Sequence, residues 1–115
     1  MRLFSFRARS AKRDLETDNY RLERLQQALL ELDEQLAFET LGLKSRLENA
    51  RDSAAFALEG HENRILPADK LEDLTSTLLR CEVRLLLLKS QRSFVAHLTS
   101  QLEANQKKWL GEDDS

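Results

Sequence analysis

Apolar residues recur along the first half of the chain at Leu15, Leu22, Leu25, Leu29, Leu32 and Leu36, then at Leu43, Leu47, Ala50, Ala54 and Ala57, mostly three or four residues apart. That interval returns a side chain to one face of an α-helix, so the spacing predicts a long helix meeting a partner along a seam. Between Leu36 and Leu43 the best bridge is Thr40. It gives two successive steps of four, which predicts a stutter and a locally straighter segment. Gly42 beside it is a mild weakness in a helix. A second series follows through Leu71, Leu74, Leu78, Cys81, Leu85, Leu88, Val95, Leu98 or Thr99, Leu102 and Trp109, with Arg92 at one seam position.

The two series are separated by EGHENRILPADK. Gly60 suits a left-handed helix cap, and Pro67 suits a first helical turn, where its missing N–H would have had no partner. Asp69 and Glu72 stand three apart, the spacing of a capping box. The expected fold is therefore all-α: two long helices, at about 14–60 and about 68–110, joined by a loop at about 61–67 into an antiparallel coiled-coil hairpin. Folding about that loop pairs residues whose numbers sum to roughly 127. Tyr20 then falls near Trp109, where Phe4 and Phe6 could join an aromatic cluster.

Two helices need one apolar stripe each, and this chain carries more. Leu30, Ala37, Phe38 and Leu41 lie off the first seam, while Leu79, Val83, Leu86, Leu87, Phe94 and Leu98 widen the second. Fully burying one Leu or Phe side chain is worth roughly 1.5–3 kcal/mol, so a surplus of this size calls for a cover. Leu30, Phe38, Leu41, Leu79, Leu86, Leu87 and Phe94 are the candidate interaction band. The expected cover is a second copy, giving a four-helix bundle by twofold dimerisation, with a foreign helix in the groove as the next reading.

Charge adds a second candidate surface. The chain holds 18 Lys and Arg against 20 Asp and Glu, yet the opening MRLFSFRARSAKR contains five cations and no acid. Residues 1–13 thus read as a basic arm, 14–110 as an acidic hairpin and 111–115 as an acidic, frayed tail. Arg2, Phe4, Phe6, Arg7, Arg9, Lys12 and Arg13 are its candidate contact residues. As a helix the arm gathers Leu3, Phe4, Ala8 and Ala11 on one side; as an extended strand it alternates Phe4, Phe6 and Ala8 with Ser5, Arg7 and Arg9. The favoured reading is a solvated arm, disordered or partly docked; the others are an anchor to an anionic membrane surface, docking on an acidic protein surface, foreign or this chain's own, and, least favoured with five cations and an acidic body, nucleic-acid contact or an organellar presequence.

Catalytic chemistry finds no support. One cysteine excludes an internal disulfide and points to a reducing compartment. Cys81 falls on the seam and reads as a packed apolar thiol, while His61 and His97 belong to no Glu-x-x-His pattern. Gly42, Gly60 and Gly111 are isolated, so no phosphate loop exists. No apolar run approaches the eighteen residues of a membrane span. The sequence reading therefore names no catalytic residue, metal ligand or cofactor.

In outline, a basic N-terminal segment feeding a long antiparallel hairpin resembles the coiled-coil stalk proteins of flagellar and type III secretion export. That resemblance implies binding to an ATPase ring through the open end. From the residues themselves, the expectation is a cytoplasmic, non-enzymatic coiled-coil adaptor or assembly protein that self-associates and binds protein partners. The alternative is attachment to a membrane surface through the arm.

Overall fold

The computed structural model describes the backbone of residues 2–61 and 68–111, and the side chains of residues 10–56, 59 and 69–111. Among the described residues there are two helices and no strand: α1, Arg2–His61, and α2, Ala68–Trp109. α1 ends and α2 begins within about a residue of the expected bounds, while the expected loop, with Pro67, lies outside the described residues. The expected start of α1 does not hold. Residues 2–13 form its opening turns rather than a separate arm. The physical reason is that Arg, Leu, Lys and Ala are all good helix formers, and no Gly or Pro occurs before Gly42.

Helix ends also differ from the expected chemistry. Gly60 lies inside the last turn of α1 instead of capping it. Asp69 is already helical, and its carboxylate accepts from the Lys70 N–H at 3.1 Å, so it acts in the first turn and not as half of a capping box with Glu72. An acid there complements the positive end of the helix. The left-handed glycine is Gly111, at φ 71°, just beyond the Leu110 N–H that donates to the Gln106 carbonyl at 2.9 Å. Lys107 and Lys108 complement the negative end.

Along α1 buried and half-buried positions include the series 19, 22, 26, 29, 33, 36, 40, 43, 47, 50 and 54, and along α2 the series 71, 74, 78, 81, 85, 88, 92, 95, 99, 102 and 106, with flanking positions such as 37, 39, 84, 91, 98 and 105 half-buried beside them. Steps of three and four alternate without a fault, the seven-residue repeat of coiled-coil seams. The expected stutter is absent. It arose from assigning Leu25 and Leu32 to the seam, whereas the structure puts Gln26 and Asp33 there and leaves both leucines substantially exposed, with Leu15 likewise exposed. Keeping phase with Leu22, Leu29 and Leu36 outweighs choosing the most apolar residue in each turn.

The chain divides into two compact units, each containing a stretch of both helices. In the first, residues 1–33 and 94–115, the core is Leu22, Leu29, Val95 and Leu102. Polar residues share this seam, and they find local partners. Asn19 donates to Glu23 at 3.3 Å, and the Thr99 hydroxyl donates to the Val95 carbonyl at 2.9 Å. Tyr20 and Trp109 are both exposed, so no buried aromatic cluster involves them; Arg24 instead stacks over the Tyr20 ring at 5.9 Å. Phe4 and Phe6 lie outside the described side chains.

In the second unit, residues 34–93, the core is Leu36, Leu47, Cys81 and Leu88. Leu88 is the one fully enclosed large side chain among the described residues. Two ion pairs cross between the helices here, Glu39 to Arg84 and Arg51 to Glu82. Rising numbers on α1 meet falling numbers on α2, so the pair is antiparallel. Glu39 and Arg84 each precede the seam positions Thr40 and Leu85, while Arg51 and Glu82 each follow Ala50 and Cys81. The two pairs therefore flank the seam on opposite sides, like flank against like, as antiparallel helices require.

Two substitutions test this packing. Leu88→Ala should cost about 2–5 kcal/mol in urea unfolding, and Leu25→Ala under about 1 kcal/mol, because only the first opens a cavity. Nothing lies within 4 Å of where a Cβ at Gly42 would stand. Gly42→Ala should accordingly stabilise the helix by about 1 kcal/mol in the same assay.

Candidate protein-docking faces

The described side chains place the surplus apolar residues on faces turned away from the seam. In the second unit α2 presents Leu79, Val83 and Leu86 at steps of four and three, with Leu87 beside them; Leu86 is 69% exposed. The next position in that stripe is Ser90. On α1 the corresponding outer stripe is Glu34, Phe38, Leu41, Ser45, Glu48 and Asp52. Phe38, at 81%, is more exposed than any other large apolar residue described, and Leu41 adjoins it one turn on. In the first unit, Leu30 and Phe94 are likewise exposed. All seven band residues are thus accessible, five of them in the second unit.

Two further apolar residues belong with these. Val83 was part of the widened second stripe, yet is absent from the candidate band, and its exposure matches that of its neighbours. Phe56, 78% exposed near the end of α1, had no signal beyond its own size among small alanines. Of the candidate arm residues, Lys12 and Arg13 are exposed on α1. The side chains of Arg2, Phe4, Phe6, Arg7 and Arg9 lie outside the described residues.

Electrostatics near the α2 face are set by its two cross-helix pairs. Arg84 grips Glu39 through both carboxylate oxygens, Nε to Oε2 at 2.7 Å and Nη2 to Oε1 at 3.0 Å. Those hydrogen bonds hold the Glu39 carboxyl below its ordinary value; partial desolvation pulls the other way, and the guanidinium charge adds to the lowering. The same bonds raise Arg84. Arg51 reaches Glu82 with a single contact, Nη2 to Oε1 at 3.1 Å. Two-point recognition fixes relative position better than one, so Glu39 and Arg84 are the stronger register marker.

A groove of about 650 Å³ in the first unit is bordered by Glu23, Gln26, Leu30 and Asp33 of α1 and by Val95, Ala96, Thr99 and Glu103 of α2. Its lining mixes apolar seam edges with amides and acids and contains no His, Cys or Lys. Among the described residues no three of His, Cys, Asp and Glu converge as a metal site. Cys81 is buried in the seam of the second unit, and His97 is exposed on α2. No described helix is long and apolar enough to cross a membrane.

No protein-family model, curated protein or solved structure matches the chain. The likeness to export stalks accordingly stays with the outline of the sequence.

The Glu39 shift gives a pH test. A carboxyl lowered on folding stabilises the folded state above its unfolded value, near 4.5, and loses that contribution as pH falls through the folded value. Wild type should exceed Glu39→Gln in stability at pH 7, and the difference should fade by pH 3 in urea unfolding. An undiminished difference at pH 3 would assign the effect to packing.

Proposed function

We propose that this protein is a non-enzymatic adaptor of the cytoplasm that works by protein–protein association, pairing with a second copy and holding helical partners on its outer faces. The observation that carries the reading is the exposed apolar set of the second unit: Phe38 and Leu41 on α1, and Leu79, Val83, Leu86 and Leu87 on α2. These side chains do not serve the seam, and a helix seated against them would bury each with a gain of roughly 1.5–3 kcal/mol. Amphipathic helices recognise grooves and faces by such anchors, spaced at three, four and seven residues.

Charge selects the class of partner. Along the outer stripe of α1 in the second unit, the ionisable residues Glu34, Glu48 and Asp52 are all acidic. An anionic membrane or a nucleic-acid backbone would be repelled there, whereas a helix with apolar residues between Lys or Arg would be attracted. Membrane attachment through the N-terminus is the second reading, favoured by one observation. The segment from Arg2 onward is helical, which selects the helical over the extended arrangement of its phenylalanines and cations.

Affinity capture from the native cell separates the two. Phe38→Glu with Leu41→Glu should abolish partner capture while leaving helix content intact, and deletion of residues 1–13 should leave capture standing. The reverse pattern would transfer the activity to the N-terminal segment. In that case, replacing Arg2, Arg7 and Arg9 by Glu should also eliminate flotation with anionic vesicles.

A further inference from the structure

In the second unit, the residues of α1 that point away from the seam carry charge of one sign only. From residue 34 to residue 59 they include Glu34, Glu48, Asp52 and Glu59 and no Lys or Arg. The cations of that stretch, Lys44, Arg46 and Arg51, each stand beside a seam position, next to Leu43, Leu47 and Ala50. Glu34, Glu48 and Asp52 have no ion pair with any described residue, in contrast to Glu39 and Glu82 at the seam edges. The outward face of α1 thus holds carboxylates whose charge its own surroundings leave uncompensated.

The exposed aromatics of this face are in line. Phe38 and Phe56, 81% and 78% exposed, are eighteen residues apart. Such a separation is about five full helical turns, so both side chains leave the helix on one side, about 27 Å apart along its axis. Leu41 adjoins Phe38, while Glu48 and Asp52 stand between the two aromatics. Nothing lies within 4 Å of where a Cβ at Gly42 would stand, so a partner can approach closely next to Phe38.

We infer, building on the adaptor reading above, that this face is the docking site for a basic helix of a partner protein, one with apolar residues at two places about five turns apart and Lys or Arg between them. One apolar group covers Phe38 and Leu41, the other covers Phe56, and the intervening cations meet Glu48 and Asp52. Contact held over that length requires the shallow crossing of coiled-coil seams. Charge complementarity chooses this occupant. A second copy of the same face offers no cation from its outward positions, whichever way it runs. An anionic membrane or a nucleic-acid backbone opposes the carboxylates. The α2 face of the same unit makes no such choice, because its stripe of Leu79, Val83, Leu86 and Ser90 contains no acid.

Peptide titration against the full chain tests charge and spacing together. The probe is a labelled helical peptide of about 22 residues with Leu near both ends of one face and Lys between them; a permuted peptide of the same composition gathers the Leu in the middle and the Lys at the ends. In fluorescence anisotropy the first should bind at least about ten-fold tighter than the second. Phe38→Ala with Phe56→Ala should remove that preference with helix content retained. Glu48→Lys with Asp52→Lys should weaken binding by about ten-fold or more, and Glu72→Lys with Asp73→Lys on α2 by much less. Equal binding of the two peptides, or equal loss from both charge reversals, would overturn the inference in favour of unspecific attraction to an acidic chain. Loss of the preference on Leu86→Ala, but not on the double phenylalanine variant, would overturn it in favour of α2. A wild-type dimer that dissociates in sedimentation on Phe38→Ala with Phe56→Ala would overturn it in favour of a second copy. The adaptor reading is decided separately: if the peptides bind alike while Phe38→Glu with Leu41→Glu still abolishes capture from the cell, that reading stands and only the basic-helix partner falls.

Discussion

A helix packed against a single neighbour can enclose only a narrow stripe of its surface, about two residues in each seven. In each unit of this protein that stripe is fully committed to the partner helix. Leu36, Leu47, Cys81 and Leu88 fill it in the second unit, and nothing of the seam remains to cover Phe38, Leu41, Leu79, Val83, Leu86 or Leu87. Their exposure is therefore a consequence of geometry and not of loose packing. Among the described residues the two helices leave these apolar side chains without cover.

The seam is also more polar than a minimal hairpin needs. Asn19, Gln26, Asp33, Thr40, Arg92 and Thr99 occupy repeat positions that leucine could fill. Thr40 and Thr99 return their hydroxyl hydrogens to carbonyls four residues earlier, at 2.7 and 2.9 Å, and Asp33 and Arg92 are also partnered. Satisfied polar groups in a seam add little stability, yet they penalise slipped registers, in which the same groups would face leucine. The two-point grip of Arg84 on Glu39 works in the same direction. Register matters here because a slip would rotate the outer faces as well as the seam.

These features explain which parts of the fold could be read in the sequence. The end of α1 at His61 and the start of α2 at Ala68 were legible because Gly60 and Pro67 stand between the two apolar series. The seam of α2 was legible because leucines or equivalents occupy it from Leu71 to Leu88. The seam of α1 was misread at Leu25 and Leu32, where each leucine immediately precedes the polar residue that holds the repeat, Gln26 or Asp33. Continuity with Leu22, Leu29 and Leu36 was the available signal. The start of α1 was hidden by charge: a block of cations reads as an arm, although its residues are good helix formers. The candidate band emerged by subtraction, as apolar residues the seam could not use, which is why Phe56, isolated among alanines, escaped notice.

The two outer faces of the second unit differ in a way that bears on assembly. On α2 the anchors are Leu79, Val83, Leu86 and Leu87, with no acid in the stripe they share with Ser90. On α1 the anchors are two, Phe38 and Leu41, set between acids at Glu34, Glu48 and Asp52. In a parallel, in-register pair of that α1 stripe each carboxylate would face its own copy, a like-charge cost. A basic helix from a different protein would convert the same acids into attractive contacts.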